Sequence, residues 1–232
     1  MDNLSPVCYS PHMATTARPL RKDAERNRQR ILEAARELFT EQGLGVTLND
    51  IAHFAGCGVG TVYRRFPDKE QLIDALFEER VGELVACAEA ALSNPDPWEG
   101  FVGFLEYGLR LQAQDRGLKE VLLSTDEGRA RVARVRERLV PLAGRLVERA
   151  QAAGALRPDF SQQDMPVIQL MIGAVIDGAR DIEPDLWRRY LAIVLRGLRA
   201  EPTRPEPLSH GPLAEQQLDE VMRYWRPAPR HR

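Results

Sequence analysis

Only three cysteines occur in 232 residues, and Cys8, Cys57 and Cys87 lie far apart with no C-x-x-C pair among them. Neither a zinc site nor a disulfide framework is suggested, and reduced thiols are expected. Lysine is almost missing: three of the 32 basic residues are Lys and 29 are Arg, an imbalance that decides nothing about function. The longest apolar stretch, 165–176, is interrupted by Gln169. It falls short of the roughly 18 residues a membrane span needs, so no contact with a membrane is expected. The first nineteen residues contain no apolar run that could act as a signal peptide. A disordered leader on a cytoplasmic protein is expected. No alternating strand pattern and no internal repeat is found, which leaves helices as the element type.

Hydrophobic residues make up 44% of the chain and charged residues 28%, an ordinary globular composition. The net charge of -2 conceals an asymmetry. Residues 14–69 hold ten Lys/Arg against seven Asp/Glu (net +3), leaving 22 against 27 (net -5) elsewhere. A small basic module on an acidic body suits a polyanionic partner, because the body limits non-specific attraction.

Helical periodicity places Ile31, Leu32, Ala35, Leu38 and Phe39 on one face of a helix over 21–42, stopped by Gly43. Thr47 and Asp50 form a capping-box pattern before a short helix from Leu48. Gly56 and Gly58 bracket a turn, a second short helix follows over 59–66, and Pro67 ends it. Asp68 then caps a helix leading towards Ser93. Further helices are predicted over 98–115, 118–124 and 129–153, the last bent by Pro141. Ser161 with Asp164 starts another, running to Ala179, and Pro184 opens a final large one to Ala200. Four prolines in 201–212 mark a linker, and 213–225 can form a small terminal helix. The expected organisation is all-α. It consists of a leader or arm (1–20), a three-helix helix-turn-helix domain (21–67), a helical-bundle domain for ligand binding and dimerisation (68–200), and a Pro-rich tail (201–232).

Two short helices joined by a Gly-containing turn behind a longer one make a helix-turn-helix. The run Ile51-Ala52-His53-Phe54-Ala55-Gly56-Cys57-Gly58-Val59-Gly60-Thr61-Val62-Tyr63-Arg64-Arg65-Phe66-Pro67-Asp68-Lys69-Glu70-Gln71-Leu72 resembles the DNA-binding domain of the TetR family of bacterial regulators. There the hallmark is Ile-Ala, then Ala-Gly-Val-Ser-x-Gly-Thr-Leu-Tyr-x-x-Phe-x-x-Lys-x-x-Leu. The likeness spans 26–84. It implies a sequence-specific, double-stranded-DNA-binding regulator: a dimeric repressor released from a palindromic operator by an unidentified small molecule. Activation, or non-specific architectural binding, is the alternative.

In such a domain Cys57, Val62 and Phe66 face the core, and Val59, Gly60, Thr61, Tyr63 and Arg64 face DNA. Arg64 is expected to bond guanine and Val59 to touch a thymine methyl. Thr47, Tyr63, Arg65 and Lys69 occupy positions that hold phosphates in the family. Arg18, Arg21 and Lys22 suit an arm on the backbone or in the minor groove. Two positions depart from the hallmark, Cys57 for Val and Gly58 for Ser, the latter leaving a glycine cap. Asp50 and His53, three apart, could also ligate a metal, but a cap and a surface histidine are the expected roles. Neither metal nor cofactor is expected. Cys57 is expected to be an inert thiol rather than a redox switch.

In the family the region behind the head binds ligand and dimerises. Helical facing gives Phe101, Phe104, Tyr107, Leu111, Leu122, Leu142, Met165 and Gln169 as pocket candidates, and most serve equally well as core. The last two large helices supply dimer candidates: small Gly173, Ala174 and Gly178, with Ile176, Leu191, Val194, Leu195 and Leu198. Catalysis is not expected, since no histidine has a glutamate three residues before it and no nucleophile motif is present.

Overall fold

The computed structural model describes residues 17–114, 126–200 and 208–224. The expected helix over 118–124, the tail residues 201–207 and Cys8 lie outside them. The described helices are α1 (Ala17–Gln42), α2 (Leu48–Phe54), α3 (Val59–Arg65), α4 (Lys69–Leu92), α5 (Pro97–Gln114), α6 (Asp126–Ala152), α7 (Asp164–Ala179), α8 (Leu186–Leu198) and α9 (Glu215–Tyr224). Among the described residues β pairing is limited to one isolated bridge, Leu156 to Arg199, so the all-α reading holds. Several ends differ from expectation. α1 begins at Ala17 instead of Arg21, and α6 three residues before Arg129. The last large helix runs from Leu186 to Leu198 instead of from Pro184 to Ala200, because Pro184 and Asp185 form a turn before it.

Two cores are present, and α4 belongs to both. The first joins Ile31, Leu32, Leu38 and Phe39 of α1 to Ile51 of α2, Val62 of α3, Phe66, and Leu72, Ile73, Leu76, Phe77 and Val81 of α4. The head's apolar unit therefore runs past Pro67, where the sequence reading ended it, because the first half of α4 closes its underside. Ala88 and Ala91 of the same helix enter the second core, with Trp98, Phe101 and Phe104 of α5, Leu146 and Ala150 of α6, Met165, Ile168, Ile172 and Ile176 of α7, and Trp187 and Leu191 of α8. Phe101 lies at its centre, with Phe160 edge-on at 5.6 Å and Trp98 tilted at 5.9 Å.

Caps set the breaks between helices. Asp68 accepts from Gln71 N–H at 2.8 Å to start α4, and Asp96 accepts from Trp98 N–H at 2.8 Å ahead of α5, with Pro97 at the first helical position, where its missing N–H costs nothing. A Cβ on Gly100 would run into the carbonyl of Ala91, so only glycine allows α5 to leave α4 this closely. The start of α7 departs from the expected pairing. The Asp164 carboxylate accepts from Ser161 N–H, but the Ser161 hydroxyl turns to Gln163 and caps no backbone group. Backbone bonds from Arg157 N–H to Leu198 and from Ala200 N–H to Ala155 stitch the end of α8 to the chain beyond α6.

Candidate nucleic-acid interface

Three devices hold α2 and the turn that joins it to α3. At the front of α2, Thr47 Oγ1 accepts from Asp50 N–H at 3.2 Å while the Asp50 carboxylate accepts from Thr47 N–H at 2.9 Å, completing the capping box. A bond donated by the Thr47 hydroxyl, and then the one from Thr47 N–H, hold the Asp50 carboxyl below its ordinary range. At the back, Gly56 takes φ +60, Cys57 N–H reaches the Ala52 carbonyl at 2.9 Å and Gly56 N–H the His53 carbonyl at 3.2 Å. That is a Schellman closure, and it needs a residue free of the left-handed penalty. The third device escaped the sequence reading: Arg30 Nη2, from α1, donates to the carbonyls of Ala55 at 2.6 Å and Gly56 at 3.1 Å. No local motif signals it, because the partners lie 25 and 26 residues away.

α3 presents the face the spacing implies. Val62 and Phe66 are buried and Cys57 packs against the head core. Val59, Gly60, Tyr63, Arg64 and Arg65 are exposed, with Thr61 at the margin. Phe54, at the end of α2, adds an exposed aromatic to the same part of the head. Gly58 caps α3 without a side-chain bond. Arg64 folds back on its own helix, donating through Nε to the Gly60 carbonyl at 3.0 Å and through Nη2 to the Thr61 hydroxyl at 3.4 Å. Both bonds are solvent-exposed, so exchanging them for a base edge costs little beyond rotamer freedom. Lys69, at the start of α4, is partly covered: its ammonium lies 5.4 Å from the Phe39 ring centroid and burial lowers its pKa. Thr47 is exposed, its hydroxyl engaged by Asp50. Nothing is described of the Arg18, Arg21 and Lys22 side chains, although their backbone forms the first turns of α1.

The body candidates divide. Phe101, Phe104 and Met165 are core residues. Tyr107, Leu111, Leu142 and Gln169 are half-buried, and Leu122 lies outside the described residues. The Tyr107 hydroxyl meets Glu83 of α4 at 3.3 Å, and burial beside that carboxylate raises its pKa. Gln169 donates to the Leu105 carbonyl at 3.0 Å and accepts from Gln112 at 2.8 Å, a polar patch between α5 and α7. The dimer candidates split by face. Gly173, Ile176 and Leu191 are buried in the protomer, and Val194, Leu195 and Leu198 pack half-buried against its core. Ala174 and Gly178 are exposed, as are Met171, whose apolar side chain suits the same interface, and Ile182, Tyr190 and Ile193, which helical facing does not pick out. An open groove of about 380 Å³ on this side is lined by Val175, Gly178, Ile182, Leu186 and Tyr190. No cluster of three or more metal-binding side chains occurs among the described residues, and none of their helices is long and apolar enough to cross a membrane.

Residues 31–76 match the family described as bacterial regulatory proteins, TetR family, and 96–200 match the SbtR-like transcriptional regulator C-terminal domain. A TetR regulatory protein from Mycobacterium vanbaalenii is 32% identical, with 78% of this chain and 99% of that one covered and a TM-score of 0.62. A TetR transcriptional regulator from Streptomyces coelicolor is 30% identical over 75% of this chain and 98% of its own, with a TM-score of 0.59. An HTH-type transcriptional regulator of Staphylococcus aureus (strain USA300) is 52% identical over 54 residues, 23% of this chain. The match spans 29% of that relative's length. Head and body together therefore place the chain in the TetR family of transcriptional regulators.

Proposed function

We propose that the protein is a cytoplasmic homodimer that represses by binding a roughly palindromic operator and leaves it when a small molecule enters the body. The observation that carries the DNA reading is the outward face of α3, where Val59, Thr61, Tyr63 and Arg64 surround a guanidinium free to swing to a guanine edge. Arg65, Tyr63, Thr47 and Lys69 would hold phosphates and set register. Met171, Ala174 and Gly178 of α7, Ile182 in the turn after it, and Leu186, Tyr190 and Ile193 of α8 form an apolar face that two copies can share about a two-fold axis. Heads so joined would meet half-sites about 34–36 Å apart or a multiple. Tyr107, Leu111, Leu142 and Gln169 would line the effector site beside the core aromatics. TetR-family regulators typically are DNA-binding repressors with a ligand-binding C-terminal domain. α4 is suited to pass the signal, since it shares the head core and also bonds the body through Glu83 to Tyr107 and Glu78 to Arg138. An effector acts only by favouring the body conformation whose head spacing fits DNA poorly.

Selection from random duplexes, followed by binding of the winner at several salt concentrations, tests this. Enrichment of a palindrome, with Lys69→Ala weakening all sequences alike and lowering the salt slope by about 1, is expected. Binding set by salt alone, with no motif enriched, would contradict it and favour architectural binding.

A further inference from the structure

The inference drawn here rests on the DNA reading above and deepens it. We propose that Arg30 is a positioning residue for sequence readout: it touches no base, and by clamping the α2–α3 turn it fixes the angle at which α3 meets the groove.

α3 has seven residues and no side-chain cap, and only Val62 of its residues is buried. A helix so lightly held takes its orientation from the turn before it. That turn exposes two carbonyls, Ala55 and Gly56, at the C-terminal end of α2, where the peptide dipoles concentrate negative partial charge. The two hydrogens of a single guanidinium nitrogen, Arg30 Nη2, satisfy one carbonyl each. The backbone of Arg30 is held in turn, because Ile31 and Leu32 beside it are buried in the head core. The clamp thus ties the turn to the rigid frame of α1. Contact with Arg30 also leaves little room at Gly56, where a Cβ would stand 3.3 Å from Nη2. The same device recurs in the body. Arg149 of α6 reaches the carbonyls of Ala91 and Asn94 at the α4–α5 turn, so a long-range arginine closes the helix end in both units. Readout needs placement within about 0.5 Å and 10–20°, so a loosened turn should cost specificity before it costs general affinity.

The test uses the full chain, with the selected operator and an unrelated duplex of equal length as probes. Arg30→Ala, Arg30→Lys and Arg26→Ala are compared at a temperature where melting curves show each folded. Arg26→Ala is the charge control: it removes an exposed arginine of the same helix, paired at 3.6 Å with Asp23. Arg30→Ala should lower the operator-to-unrelated affinity ratio about tenfold while Arg26→Ala leaves it unchanged. Both should show the same salt slope, and Arg30→Lys, able to reach one carbonyl, should fall between. In DNA-free protein, the amides of Gly56, Cys57 and Thr61 should exchange several-fold faster in Arg30→Ala, with those of Leu72 to Leu76 unchanged. An unchanged ratio overturns the proposal. So does unaltered amide exchange, or a salt slope about 1 shallower than that of Arg26→Ala, which would make Arg30 a direct phosphate ligand. If the wild type itself fails to distinguish the two duplexes, the DNA reading falls and this proposal with it, whatever the exchange rates show.

Discussion

The head and the body are both helices packed on an apolar core, but the α2–α3 region of the head is shaped mostly by local bonds, whereas the body adds several longer-range side-chain links to local caps such as Asp96. In the head, the capping box joins residues three apart, the Schellman closure joins residues up to five apart, and Asp68 caps three residues ahead. Arg30 and the Arg36–Glu79 ion pair at 2.8 Å are two longer-range polar links in it. In the body, Gln112 meets Gln169 across 57 residues, Arg149 meets Asn94 across 55 and Arg188 meets Glu106 across 82.

Substitutions on either side test the contrast. The largest effect is expected from Phe101→Ala, which removes a fully buried ring from between Trp98 and Phe160. Denaturant titration should show the body destabilised by about 3–5 kcal/mol, while amides of α1 to α3 keep protection drawn from their own core. Ile193→Glu places a charge on the exposed α8 face. Sedimentation should find the proposed dimer weakened by at least about 2 kcal/mol, with protomer melting little changed. A dimer of undiminished strength would move the interface elsewhere. Gly56→Ala strains a left-handed position and crowds Arg30, and thermal melting of the head should register a loss of about 1–2 kcal/mol.

A smaller effect follows from acid. The folded Asp50 carboxyl titrates below its unfolded value of about 3.9, so its contribution is complete above that pH and is lost as pH falls through the folded pKa. The stability difference between wild type and Thr47→Val should therefore be constant above about pH 4 and shrink below it. The smallest change is a gain. Around Gly58, a Cβ meets only the Thr61 hydroxyl at 3.7 Å, so Gly58→Ser should restore the cap of α3 and raise head stability by a few tenths of a kcal/mol.

The same contrast explains what was legible in the sequence. Thr47, Asp50, Gly56 and Asp68 act on neighbours within five residues, and each could be read from spacing alone. Arg30 could not, because its partners are backbone carbonyls on another helix. In the body, periodicity found which helix faces are apolar but not which apolar face turns inward. α7 and α8 carry hydrophobic residues on two sides, so Gly173, Ile176 and Leu191 were grouped with an outer surface when they pack inside. Of the exposed residues on the opposite side, periodicity picks out Met171 but not Ile182, Tyr190 or Ile193. Helix ends were similarly limited, as at Pro184, where a proline that can open a helix stands in the turn before it.

The most direct test of the claim that the outer face of α3 reads sequence is an affinity profile. Wild type and Arg64→Ala would be measured against operator duplexes in which each base pair is changed in turn. The account predicts that Arg64→Ala loses about 1–3 kcal/mol on the operator and that one position in each half-site stops mattering, with every other position as selective as before. A uniform loss at all positions would show that Arg64 only attracts phosphate, and would contradict the assignment of that face as the reading surface.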